Sequence, residues 1–377
     1  MTSLVPMASA VAQMQGVTIG SKAYRAAGLH PYASQTGGHA AYGWNHGYKV
    51  DDAFAKAAIV NALSRPLYYD DENYRESGYN IACRPDGWEP EDANDVATGW
   101  HRGRRRFQTP SGAVTVSAFD PQHLWGNPLF EIVALRNDAA IQVMGGTVPA
   151  WRVAKWCLRH YVRAVAGMVR KDGPWLAGGR ATALILNFTN QAMALNLFAQ
   201  QPKEGEAIID WIENYALPQL ETAPGVREVK NEGVCRWVQE CGWMLLPVYE
   251  AESGLASYKD FGSRFKAIRK RISQWMLDID EIAGGRAKWY NLRITDAMRA
   301  GANGAPLPSL KGAITADDVA GPDDYTLWSC AAADVARISI GSQQAEDFYA
   351  RVLAKAGGNA SEGDQVWLVG HDRMYLS

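Results

Sequence analysis

The chain has 377 residues, 47% of them hydrophobic and 21% charged, with a formal net charge of -2; a sizeable globular core is expected, and no whole-molecule attraction to nucleic acid or an anionic membrane. Its five cysteines, Cys83, Cys157, Cys235, Cys241 and Cys330, are scattered without a C-x-x-C pair, which argues against a disulfide framework or a zinc ribbon. The residues after Met1 lack a positive n-region and no run approaches about eighteen uninterrupted apolar residues, so synthesis in the cytoplasm without a signal peptide and no membrane partner are expected, with the final location, including a virion, left open.

Residues 15 to 118 are rich in Gly, Tyr, His and Asp and read as loops and short strands. One helix is expected from Asp51 to Leu63, capped by Asp51 or Asp52. The segment Arg106 to Phe119 alternates Phe107, Val114, Val116 and Ala118 around Thr109-Pro110-Ser111-Gly112, the pattern of a hairpin. Beyond it the character turns helical. Trp151 to Lys171 places Trp151, Ala154, Leu158, Tyr161, Val162, Val165 and Val169 on one face. Arg152, Arg159, Arg163 and Arg170 stand opposite, an arrangement whose ordinary reading is a solvated face. Ala181 to Gln200 contains no charged residue, and a helix apolar nearly all round belongs inside. Lys203 to Leu220 is amphipathic, so inner and outer helices are expected to alternate. Further helices are predicted over Glu232 to Glu250, Tyr258 to Ile279, Tyr325 to Ile340 and Gln343 to Lys355, the last two divided by Gly341 and Ser342. Gly301 to Asp324 holds Pro306, Pro308, Gly312, Gly321 and Pro322 and is expected to be the longest loop. Gln365 to Val369 and Met374 to Leu376 suggest a terminal hairpin around Gly370-His371-Asp372.

The segment Asp120-Pro121-Gln122-His123-Leu124-Trp125, followed by Leu129, Glu131 and Leu135-Arg136-Asn137-Asp138, resembles a hairpin of the six-hairpin, or (α/α) toroid, superfamily. There an acid-x-x-His pair opens a helix that ends in a Thr-Gly-Asp-like turn, with a second helix after it. Arg163, Ala164 and Gly167 resemble the Arg-Ala-x-Gly of a later inner helix. Pro128 cannot donate a helical hydrogen bond, so the helix is expected to start near Asn127, leaving Asp120 and His123 in the preceding loop. The resemblance spans residues 119 to 355 at the level of pattern. It implies a mainly α protein made of (α/α) toroid-like helical hairpins, with polysaccharide lyases, glycoside hydrolases and non-catalytic virion or cell-surface parts among its functions.

A lyase acting on an acidic sugar needs a base, an acid and a group to neutralise the carboxylate. Trp44-Asn45-His46-Gly47-Tyr48, Trp100-His101-Arg102 and Asp120 to Asn127 offer such residues. His46, Tyr48 and His123 are the acid and base candidates, and Arg102 or Arg105 the carboxylate partners. Trp44, Trp100 and Trp125 are candidate stacking platforms, since flat indole faces suit sugar rings; Fourteen Trp and sixteen Tyr make the chain aromatic-rich, although core filling is the ordinary use of such rings. A hydrolase needs two carboxylates about 5 to 10 Å apart, for which Asp70, Asp71 or Glu72 would require Asp120 or Glu131 nearby. The run Arg102, Arg104, Arg105 and Arg106 can grip carboxylate or phosphate bidentately, but without interleaved aromatics it carries no specific nucleic-acid signal. Nucleotide-binding, dinucleotide-binding and zinc-protease motifs are absent from the sequence. No cofactor is expected. Asp317, Asp318, Asp323 and Asp324 match no EF-hand, and no metal is assigned.

The sequence therefore predicts an N-terminal mixed region over 1–118 with loops, strands and one helix, a helical-hairpin domain over 119–357 and a C-terminal hairpin or tail over 358–377. Its expected function is carbohydrate binding or cleavage, the partner being a polysaccharide or oligosaccharide held in an aromatic-lined groove. The alternative is a structural subunit of a virion or another large assembly, contacting copies of itself or other subunits.

Overall fold

The computed structural model describes residues 12–18, 51–64, 66–67, 79–80, 104–109, 112–117, 127–143, 145–177, 179–222, 237–285, 288–292, 307–327 and 330–356. Within them the protein is mainly helical, with strands that pair only two at a time. The chain divides into two compact units, Met1–Gly173 with Gln191–Trp211 and Pro174–Asn190 with Ile212–Ser377.

In the first unit, helix α1 (Asp52–Ser64) begins where the sequence puts it. Phe54 N–H donates to Asp51 Oδ1 at 2.9 Å, which satisfies one of the first-turn donors a helix cannot pair internally. Phe54, Ala55, Ala58, Ile59 and Ala62 are buried, and α1 packs against helix α2 (Asn127–Ala134). A short pair, β1 (Pro66–Leu67) with β2 (Tyr79–Asn80), lies between them in sequence. The expected hairpin is present as β3 (Arg104–Thr109) antiparallel to β4 (Gly112–Ser117), with Thr109 opposite Gly112 in the last pair. Helix α2 starts at Asn127 with Pro128 in its first turn, where a missing N–H removes no helical bond.

The turn at Arg136-Asn137-Asp138 does not lead directly into a second helix. It enters a tight hairpin, β5 (Ala140–Val143) with β6 (Gly146–Pro149), whose reversal uses Gly145 and Gly146 at φ +92° and +149°, conformations that side chains with a Cβ disfavour. Gln15 fastens this hairpin from outside: its amide donates to Gln142 O at 2.6 Å and accepts from Gln142 N at 2.8 Å. Helix α3 (Ala150–Leu176) follows without a break. Ala154, Leu158, Tyr161, Val162, Val165 and Val169 are buried along its apolar face as the spacing predicts, joined by Val153 and Cys157, while Trp151 at the head of the stripe is only half-buried.

The uncharged stretch forms helix α4 (Gly179–Ala194) and a short 3-10 turn at Phe198–Gln200, so the helix ends before Gln200. Ile185, Leu186, Phe188 and Thr189 are all buried, matching an internal helix. The next expected helix is split into α5 (Pro202–Trp211), a π-helical turn (Ile212–Ala216) and α6 (Leu217–Thr222). Pro218 lacks the N–H that an α-helical bond to Asn214 would need, and the wider turn precedes it.

The second unit is built on helices α7 (Trp237–Gly254) and α8 (Phe261–Ile282). Both pack against helix α9 (Cys330–Ile340), and α8 also meets α10 (Gln343–Ala356). Their shared core contains Leu245, Val248, Phe265, Ile268, Ile272, Trp275, Val335 and Phe348. Gly341, at φ +62°, and Ser342 separate α9 from α10 where the sequence predicts the break. Two expectations fail here. Residues Tyr325 to Leu327 are not helical: they end strand β8 (Val319–Leu327), which pairs antiparallel with β7 (Lys288–Leu292) and carries register shifts between Lys288 and Asn291. The expected loop from Gly301 accordingly ends in a strand, and residues 307–318 are fastened to α8, with Asp278 accepting from Ser309 Oγ and Leu310 N at 2.7 Å each and Trp275 Nε1 donating to Leu307 O at 2.7 Å. No described helix is long and apolar enough to cross a membrane. The terminal hairpin expected after residue 364 lies outside the described residues.

Candidate functional site

The site begins with the spacing of α3. Positions 152, 156, 159 and 163 recur at intervals of four, three and four, which places them on one helical face over about 16 Å at 1.5 Å rise per residue. Arg152, Trp156, Arg159 and Arg163 are all exposed, and Trp156 leaves 43% of its surface in water. Among the described residues no carboxylate pairs with Arg152, Arg159 or Arg163. A large exposed indole flanked by guanidinium groups that no described carboxylate neutralises is unlike a solvated Lys and Glu face, whose charges alternate in sign.

Two further rings and one more arginine shape the face. The His160 ring meets Trp156 edge-on, with centroids 4.7 Å apart and planes at 70°, and this holds the indole in a fixed attitude. Burial, and then the Arg163 charge, hold His160 below the usual imidazole range, which favours the neutral ring. At the start of α3, the guanidinium of Arg152 lies 5.2 Å from the Trp151 ring centroid and that of Arg136 5.7 Å from it. Cation–π contact of this kind orients a guanidinium without consuming its N–H donors, so the contact itself leaves them able to take an anion. The arrangement can hold a flat, polar ring against Trp156 and take carboxylates on either side.

The second unit contains polar clusters of a different kind, each closed on itself. Arg269 is buried between Glu252 at 2.8 Å and Ser339 at 2.6 Å and lies 5.3 Å from the Tyr249 ring centroid, so it ties α7, α8 and α9 together. Asp280 receives Arg351 at 2.7 Å. Glu250 is the exception: half-buried on α7, its carboxyl is pushed up to about 7 by burial, with the Asn190 amide opposing more weakly. Asn190 Nδ2 donates to Pro247 O at 2.9 Å and lies 3.5 Å from Glu250 Oε2. This is a proton-binding group at neutral pH, but no second carboxylate stands free across from it among the described residues.

Few of the residues singled out by sequence fall among the described ones. Trp44, His46, Tyr48, Trp100, Arg102, His123 and Trp125 lie outside the described residues, as do Asp70, Asp71, Glu72 and Asp120. Arg105 stands in β3 opposite Val116, and Glu131 is half-buried in α2. Among the described residues no group of three His, Cys, Asp or Glu is placed to hold a metal. Asp318 instead accepts from Thr315 N at 2.8 Å and closes a 3-10 turn. The residues that sequence reasoning passed over are Arg136, Trp151, Trp156 and His160. Trp156 did leave a signal: it falls off the apolar stripe of α3 and among its arginines.

Compared with protein-family models, curated proteins and solved structures, the chain matches none.

Proposed function

We propose that this protein binds an acidic polysaccharide, and that its helical hairpins belong to an (α/α) toroid-like scaffold. The observation that carries the reading is the exposed Trp156 set among Arg152, Arg159 and Arg163 on one face of α3. A sugar ring offers an apolar C–H face that stacks on an indole, and a uronate offers the planar carboxylate that a guanidinium grips with two parallel hydrogen bonds. Nucleic acid fits this face less well. It carries a phosphate at every nucleotide and is gripped through extended basic surfaces, whereas this chain has a net charge of -2 and a few arginines separated by whole helical turns. A polymer with one carboxylate every ring or two matches the sparser spacing.

Cleavage of the bound chain by His46, Tyr48, His123 and Arg102 is part of the proposal, with Trp44, Trp100, Trp125, Arg105 and Glu131 as further contacts. The test is a titration of the purified protein with a panel of acidic and neutral polysaccharides, followed for absorbance of unsaturated uronates and for reducing ends. We expect binding to the acidic members and about a tenfold or greater loss in Trp156→Ala, the scale on which a buried aromatic contact contributes to affinity. Unsaturated uronates mark a lyase, reducing ends alone a hydrolase, and neither a binding module. Unchanged affinity in Trp156→Ala would overturn the reading. So would an assembly of the chain that Trp156→Ala disrupts and acidic sugars leave untouched, which would place the face in a subunit contact such as that of a virion component.

A further inference from the structure

Four described helix ends close in the same way, and one of the four does so with an unexpected residue. At Gly16, Asn196 and Gly284 the chain reverses through the left-handed region, at φ +67°, +55° and +85°. The same pair of backbone bonds closes each end: Gly16 N to Gln13 O with Val17 N to Ala12 O, Asn196 N to Met193 O with Leu197 N to Ala192 O, and Gly284 N to Glu281 O with Gly285 N to Asp280 O. Glycine and asparagine are the residues that this position favours, because a larger side chain crowds its own backbone there. Helix α2 closes by the same two bonds, Arg136 N to Val133 O and Asn137 N to Ile132 O, each 3.1 Å. The residue held at φ +49° is an arginine.

Nothing in the local backbone calls for that residue. Leu135 before it is exposed and Asn137 after it half-buried, and among the described residues no carboxylate pairs with Arg136. What the position does provide is direction, since the reversed backbone carries the side chain to the Trp151 ring, where Arg152 also lies. Two like charges set against one indole repel each other, and a carboxylate placed between them relieves that repulsion.

We infer that Arg136, Arg152 and Trp151 form a carboxylate-binding subsite, one turn beyond Trp156, that takes an acidic group of the bound polymer. The inference rests on the proposed binding face and extends it toward the end of α2. It makes Arg136 a ligand-binding residue kept where a glycine would close the helix with less strain.

The experiment compares Arg136→Gly and Arg136→Lys with the intact protein, reading thermal unfolding and affinity for a hexagalacturonate in parallel, with Trp156→Ala as the reference. The expected result is that Arg136→Gly unfolds at the same or a slightly higher temperature yet binds the acidic oligosaccharide about tenfold more weakly. Arg136→Lys, which keeps the charge but not the planar fork, should fall in between. An Arg136→Gly protein that binds like the intact chain overturns the subsite. An Arg136→Gly protein that melts several degrees lower overturns it as well, because Arg136 would then be a packing residue over Trp151. If Trp156→Ala loses binding while Arg136→Gly does not, the subsite fails and the α3 face stands; if the intact protein does not bind the oligosaccharide, both fail together.

Discussion

At the scale of single residues, Glu250 makes the sharpest thermodynamic statement in the molecule. Its carboxyl, ordinarily near 4.5, is raised to about 7 because burial on α7 penalises the charged form more than the Asn190 amide rewards it. A carboxyl raised on folding holds its proton more tightly in the native state than in the unfolded chain. The associated stability is therefore complete below about pH 4.5 and is lost as the pH rises toward 7. The full shift corresponds to about 3 kcal/mol at 1.36 kcal/mol per pH unit, and partial exposure reduces it toward about 1 to 2. Glu250→Gln should unfold like the intact chain at pH 4.5 and be more stable by about 1 to 2 kcal/mol at pH 8. Denaturant titrations at the two pH values check this, and a variant less stable at both would mean that Glu250 is needed as a carboxylate.

Arg136 illustrates a different limit at the same scale. A non-glycine residue in the left-handed region costs about 1 kcal/mol, yet nothing in Leu135-Arg136-Asn137-Asp138 shows that Arg136 will occupy it. The turn is visible in those residues, but which one reverses depends on where α2 ends. Asp51 is the opposite case. A cap acts within one turn of its own helix, so its partner at Phe54 follows from spacing alone. Trp156 lies between the two: its place on the polar side of α3 is readable, its exposure is not, because exposure depends on what the rest of the chain covers.

At the scale of elements, helices with a clear apolar stripe were the readable ones. The limits of α8 and α10 fall close to the expected ones, and α3 starts where expected but runs past Lys171 to Leu176, because the 3.6-residue period and burial point the same way. Strands were less readable. Gly145 and Gly146 mark the β5–β6 turn, but four-residue strands are too short for alternation to stand out. In β8, Gly321 and Pro322 signal a loop, and they are tolerated because the strand is paired on one side and its register shifts there. The amphipathic period from Lys203 to Leu220 continues through the π-helical turn, so nothing in it marks the interruption apart from Pro218.

The hairpin of α7 and α8 depends on a close approach that sequence does not reveal. A Cβ on Gly262 would stand 2.9 Å from the backbone oxygen of Glu252 and 3.4 Å from Ala256 Cβ. The opposing atom is backbone and cannot swing aside, so the helices must part. Gly262→Ala should therefore destabilise by about 1 to 3 kcal/mol, more than alanine returns as a better helix former. Chemical denaturation measures it, and a variant as stable as the parent would show that the hairpin has slack.

At the scale of the whole molecule, fold class and chemistry separate. A mainly helical protein follows from the succession of helical segments after Trp151, and the structure shows one. The residues expected to carry chemistry cluster before Trp125, where the sequence offers pairs such as His46 and Tyr48 without a helical period among them. The proposed binding face instead stands on α3, the longest helix among the described residues, because a rigid helix fixes the spacing of its arginines. With a net charge of -2, the attraction to an acidic polymer that we propose would be local, confined to this face and screened by salt over about 10 Å.

The most direct measurement is a calorimetric titration of the intact chain and of an Arg152→Ala, Arg159→Ala, Arg163→Ala triple variant with hexagalacturonate and its fully methyl-esterified form. Binding of the acid alone is predicted, weakening about tenfold between 50 and 500 mM salt and vanishing in the triple variant. Equal affinity for the acid and the ester, or a triple variant that binds as the intact chain does, would contradict the account.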